Sequence, residues 1–266
     1  MQTKKLTPKL DTILANKRMA LASRRSSTPL EAVRALASMQ QRPNPVLSMV
    51  SDKDDPVLVI GQIQHDTSGN GATVYDPVGT ALRYAQKQVD AISLFTDGVV
   101  YDYGLDDLML VARAVNLPVI SQDYVLDEYE IVETRAAGAS ALVLSAAVLD
   151  KEALRTLISD TQRNRMTAIV AVHNEAELHE ALSLSPNVIG LTSDDPFTPE
   201  IEVNLVQTRR LRAMIPPNVR VMVMEKIRTV EQVDLIASLD VDAILVNENL
   251  LDTMQHAGNL RARLSS

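Results

Sequence analysis

The chain has 266 residues, 46% of them hydrophobic, with a net charge of −8 and no cysteine. That length admits one large α/β domain or two small ones, and the missing cysteine excludes disulfides, thiolate metal sites and cysteine nucleophiles. The negative balance and an aromatic content of 3% argue against a nucleic-acid partner, which rewards basic side chains and stacking rings.

The opening MQTKKLTPKL carries no apolar signal core, and no stretch approaches the roughly 18 apolar residues of a membrane span, so a cytoplasmic chain without membrane association is expected. LDTILANKRMALASRR then places Leu10, Ile13, Leu14 and Leu21 close to one helical face. The basic cluster Lys17, Arg18, Arg24 and Arg25 is read as the solvated side of that helix. In SSTPLEAVRALASM a second helix is expected, with Thr28 as its cap, Pro29 at its first position and Glu31 completing a capping box. QRPNP (41–45) reads as a connection. Residues 1–48 are therefore expected to form a helical extension packed on a body spanning 49–266, all within a single domain.

Eight short apolar runs follow: 57–63, 91–95, 118–121, 141–145, 168–172, 188–191, 219–224 and 243–246. Between them lie segments of 3.6-residue periodicity such as LDDLMLVARAV, KEALRTLISDTQ, EAELHEALSL and VEQVDLIASL. Strands alternating with helices imply right-handed βαβ units and a parallel sheet buried on both faces. Eight such pairs predict an α/β fold of the closed (β/α)8 TIM-barrel type with two extra N-terminal helices. No glycine fingerprint of the dinucleotide-binding kind follows the first strand, which argues against an open, doubly wound sheet.

Barrel sites form at the C-terminal ends of the strands. The first strand surfaces as VLVIGQIQHDTSGNG, and Gln62 and Gln64 there can neither give nor take a proton near neutral pH. His65, Asp66, Asp97, Asp123, His173, Asp194, Asp195, Glu225 and Glu248 also fall at or near strand ends. None has metal-ligand spacing, so no metal is expected, and no cofactor either. Lys226 next to Glu225 reads as an ion pair rather than a Schiff-base lysine. Thr67, Ser68 and Ser121 lack a histidine at any nucleophile spacing, and Met222 and Met224 read as barrel packing.

Several stretches in register resemble the indole-3-glycerol phosphate synthase family of tryptophan biosynthesis. They are LDTILANKR, DPVGTALRYAQ (Asp76, Pro77, Tyr84), SLFTDGVVYDYGLDDL (Thr96, Asp97), PVISQDYVLDEYEI (Pro118, Asp123, Tyr129), VAVHNEAELHEAL (His173, Glu177) and LVNENLL. The resemblance implies a barrel enzyme that closes a pyrrole ring on an anilino-sugar phosphate with loss of carbon dioxide and water. It also implies a set of catalytic and phosphate-binding residues that this chain does not carry at those positions. The family's first-strand lysine and the glutamate before it fall on Gln64 and Gln62, and a second lysine falls on Gln122. The fifth-strand glutamate falls on Ala171, while the sixth-strand asparagine and arginine fall on Thr192 and Asp194. The seventh-strand Glu-Ser-Gly falls on Met224, Glu225 and Lys226, and the glycine after the eighth strand falls on Asn247.

Two expectations of function follow. In the first, no catalytic residue remains, and the barrel serves binding, regulation or assembly with a protein partner or a small neutral ligand, as a monomer or small homo-oligomer. Gln62, Gln64, His65, Gln122, Asp123, His173, Glu225 and Asn247 would line its mouth. In the second, the chain is an enzyme, either the synthase itself with weak or altered activity or a catalyst of a different reaction at the rebuilt mouth.

Overall fold

The computed structural model describes residues 8–46, 56–63, 75–99, 104–193 and 205–265. Eight strands pair in parallel in chain order: β1 (Leu58–Ile63), β2 (Ala91–Phe95), β3 (Val119–Gln122), β4 (Ala141–Ser145), β5 (Thr167–Val172), β6 (Val188–Leu191), β7 (Arg220–Ile227) and β8 (Ala243–Val246). β1 also pairs with β8, Leu58 opposite Ala243, so the sheet closes on itself and leaves no edge. The predicted (β/α)8 barrel is the observed one.

Two helices, α1 (Pro8–Ser27) and α2 (Leu30–Met39), precede β1. After each strand in turn come α3 (Pro77–Gln86), α4 (Leu105–Ala114), α5 (Glu128–Ala136), α6 (Lys151–Arg163), α7 (Glu175–Leu182), α8 (Leu205–Arg212), α9 (Val230–Ala237) and α10 (Glu248–Met254), with α11 (Ala257–Leu264) last. Many of these helices begin on a side-chain cap. Asp76, Asp127, Asp150, Asn174, Thr229 and Asn247 each accept a first-turn N–H, typically about 1 kcal/mol apiece.

Strand alternation divides the core into two layers. Ile60, Ile120, Ile169, Met222 and Leu245 point inward and plug the barrel. Val59, Ile92, Leu142, Val170, Val221 and Ile244 point outward under the helices. Each fully buried side chain of this size contributes about 1.5–3 kcal/mol of hydrophobic stabilisation. Gly61 faces outward and is required there, because a Cβ would stand 2.7 Å from the Tyr84 ring. The Tyr84 hydroxyl donates to the Gln62 carbonyl at 2.7 Å, which fastens α3 to β1.

Two sequence expectations need correction at the N-terminus. The capping box at Thr28 and Glu31 does not form. α1 runs on to Ser27, so the corner shifts by one residue and Pro29, extended at φ −61° and ψ 146°, takes the cap position with no side-chain hydrogen bond to offer. The Thr28 carbonyl instead accepts from the Tyr129 hydroxyl, and Glu31 pairs with Arg34. Secondly, Lys17 is not solvated but 3% exposed. The two helices pack on α5 through Leu21, Val33, Ala37, Tyr129 and Val132. The boundary expected at residue 48 falls outside the described residues.

Candidate functional site

Alternation carries a second tier of side chains above the plug, at the C-terminal end of the barrel interior. From β1 to β5 these are Gln62, Ser93, Gln122, Ser145 and Ala171; Met224 stands on β7, and Thr192 follows β6. All are buried. The Gln122 amide donates to Ser93 Oγ at 2.6 Å, and Ser93 is the register partner of Gln62, so these three form one continuous polar wall. Ser145 Oγ is buried with no hydrogen-bond partner among the described residues. Met224 lays its sulfur over Gly190, where a Cβ would stand 2.4 Å away. No described member of this tier carries a charge, so these side chains can hydrogen-bond and pack but cannot move a proton at neutral pH.

The charged candidates lie elsewhere. Glu225 turns away from the interior, buried at 2% exposure. Its carboxylate accepts from the Ser193 N–H at 2.7 Å, Ser193 Oγ at 2.6 Å and Thr208 Oγ1 at 3.2 Å, which ties β7 to the end of β6 and to α8. His173 sits at the start of α7, its ring Nδ1 3.0 Å from Glu177 and its N–H donating to the same carboxylate. Burial would raise Glu177, but the His173 and Asn174 hydrogen bonds outweigh it and hold the acid below the ordinary range. Asn247 caps α10 by accepting from the Leu250 N–H. Gln64, His65, Asp66, Thr67, Ser68, Asp194 and Asp195 lie outside the described residues, as does the Lys226 side chain.

Asp123 belongs to a cluster that pattern reading did not anticipate. Lys17 reaches from α1 to the ends of β2 and β3, its ammonium 2.5 Å from Asp123, 3.2 Å from Glu130 and 3.6 Å from Asp97. Arg24 adds a second cation against Glu130 and Glu133. Burial pushes the Asp123 acid up to about 8, with Asp97 and Glu130 adding to the rise and Lys17 opposing it. For Lys17, burial alone would lower the pKa; the carboxylates of Asp123, Glu130 and Asp97 more than reverse this, so the ammonium form is locked in. The spacing offered a signal: Leu10, Leu14, Lys17 and Leu21 fall on one helical stripe, so the lysine was on the buried face all along.

Together, a closed eightfold barrel, a C-terminal mouth and helices docked over one side of it define a protein of the (β/α)8-barrel class. A solved structure of similar fold is the N-acetylmannosamine-6-phosphate 2-epimerase from Clostridium perfringens, at TM-score 0.57 and 16% identity over 74% of this chain and 89% of that one; at that identity the likeness is one of fold. A sequence model described as indole-3-glycerol phosphate synthase matches residues 10–262. Among curated relatives, the indole-3-glycerol phosphate synthase of Roseiflexus sp. (strain RS-1) is 32% identical over 95% of this chain and 96% of its own length. That of Mycobacteroides abscessus is 33% identical over 91% and 88%. The chain belongs to the indole-3-glycerol phosphate synthase family.

Proposed function

We propose that this family member uses its barrel mouth to bind, and that it serves a binding, regulatory or assembly role instead of closing the indole ring at an enzymatic rate. The observation that supports this reading is the neutral inner tier. Gln62, Gln122 and Ala171 stand where the family resemblance places charged groups, and Glu225 spends its carboxylate on Ser193 and Thr208. A general acid or base is worth about 10²–10⁴ in rate, and substrate must also be held before such a group can act. A polar, uncharged wall of this kind suits a neutral or zwitterionic small molecule, with a protein partner as the other class of occupant.

The second reading is the synthase reaction itself, at a weak or altered rate. The full-length family match and the relatives bearing that name favour it. One experiment separates the two. Purified protein is given the anilino-deoxyribulose phosphate substrate and indole-product fluorescence is followed, with complementation of a tryptophan auxotroph in parallel. Binding without catalysis predicts a rate equal to the buffer blank and no growth. Turnover above the blank or rescue of the auxotroph makes the synthase reading the right one.

A further inference from the structure

At the end of the barrel away from the mouth, arginines gather without counter-charges among the described residues. The segments leading into β3 and β4, with residues 40–44 after α2, enclose a pocket of about 350 Å³. Arg42, Arg113 and Arg135 line it beside Asn44 and Asn116, and among the described residues no aspartate or glutamate does. In a chain of net charge −8 that is a marked local reversal. None of these arginines forms an ion pair among the described residues, whereas Arg24, Arg34, Arg83, Arg212 and Arg263 all do.

Arg135 carries the argument. It is 6% exposed, yet only its Nη2 finds partners, the carbonyls of Gln41 and, at 3.4 Å, Gln40. Its Nε and Nη1 have no hydrogen-bond partner among the described residues and are not sealed from solvent. The side chain is among those that line the pocket. Burying a guanidinium without an anion is costly, and here burial, with Arg165 nearby as a second cause, loosens the hold of Arg135 on its proton. Fastening the linker and favouring the C-terminal ends of α4 and α5 account for Nη2 and for a cation in this place. They leave unexplained the two remaining donor groups and the convergence of Arg42 and Arg113.

We propose that this pocket binds a small oxyanion, of the phosphate-monoester or polycarboxylate kind, held by Arg135 from within and by Arg42 and Arg113 at its rim. Planar guanidinium forks match such oxygens in pairs, which distinguishes the site from a diffuse positive surface. It lies apart from the strand-end mouth, so it stands whichever reading of the mouth holds.

Isothermal titration of the full chain with inorganic phosphate, and separately with citrate, at low ionic strength tests it. One saturable site is expected for at least one probe, and the probe that binds identifies the oxyanion class. Arg42→Gln and Arg113→Gln, both at exposed positions, should each weaken binding tenfold or more, and Arg135→Met should abolish it. Arg155→Gln, an exposed change on α6, should leave it unchanged. The site is refuted if neither probe saturates, or if binding persists undiminished in both rim variants. Those two variants decide the matter even if Arg135→Met does not fold.

Discussion

Replacing Lys17 by methionine keeps the buried stem and deletes only the charge. The ammonium lies 2.5, 3.2 and 3.6 Å from Asp123, Glu130 and Asp97. At an effective dielectric of about 20, one attraction at roughly 3 Å is worth about 5 kcal/mol before desolvation. Mutual repulsion of the three carboxylates and the cost of burying the lysine reduce the net figure, and removing one partner of a buried ion cluster typically costs about 3–5 kcal/mol. That loss is expected at pH 8. The pH dependence follows from proton binding. In the native protein the raised Lys17 contributes fully below its unfolded value near 10.5 and loses its contribution only in alkali. In the variant Asp123 loses the cation that opposes its burial, so its folded-state affinity for protons, already raised above the unfolded value, rises further. The folded state then takes up protons that the unfolded state has released, and the variant recovers stability as the pH falls toward 5. Urea unfolding followed by far-ultraviolet circular dichroism at pH 5.5, 7 and 8.5 measures this directly. A loss below about 1 kcal/mol at pH 8.5, or a larger loss at pH 5.5 than at 8.5, would show that the cluster is not held by Lys17.

Asp123→Asn tests the same cluster from the other side. With its acid at about 8 in the folded protein, native Asp123 holds a proton that the unfolded chain has lost above about pH 4. Its contribution is thus complete at low pH and declines toward pH 8 by up to about 1.4 kcal/mol per unit. The variant should flatten this decline in a melting-temperature profile, and parallel curves would count against it. Gly61→Ala drives a Cβ to 2.7 Å from the packed Tyr84 ring, whereas Gly190→Ala meets the flexible end of Met224. The first should cost about 1–3 kcal/mol and the second less, and urea midpoints in the reverse order would contradict the packing argument. Restoring Gln62→Glu, Gln64→Lys, Gln122→Lys and Ala171→Glu together returns two charges of each sign to one mouth. This protein should fold yet fail to close the ring, because Glu225, Lys226 and Asn247 stay where the family resemblance places its phosphate ligands; substantial activity from these four changes alone would mean that phosphate is held elsewhere.

The strands were legible because a parallel barrel buries both faces of each one, so VLVIGQI, ALVLS and AIVAV stand out as apolar runs against periodic helices. The end of β7 was not: Glu225 and Lys226 interrupt the run, yet the strand continues to Ile227 while its register with β8 shifts. Family resemblance located the mouth positions, but it could not say what each side chain bonds to. Alternation from Val223 turns Glu225 outward, toward Ser193 and Thr208, and that geometry outranks any analogy of position. His173 and Asn247 likewise hydrogen-bond at the starts of α7 and α10, local partners that position in the sequence alone does not reveal. Lys17 was missed for a different reason. A lysine among arginines reads as a solvated run, and only the stripe it shares with Leu14 and Leu21 betrays its burial.

The span between Lys17 and its closest partner also bears on how the protein is made. α1 is synthesised 106 residues ahead of Asp123. At 5–20 residues per second it therefore waits about 5–20 s on the ribosome before its acceptor exists. Until then the helix has nowhere to seat, since a lysine enters an apolar interface only at heavy cost unless carboxylates already await it. Docking of α1 is thus a late step that reports on β2 and β3. A nascent barrel with those strands out of alignment separates Asp97 from Asp123, leaves α1 detached, and offers proteases and chaperones a loose amphipathic end as the mark of a chain that has not finished folding.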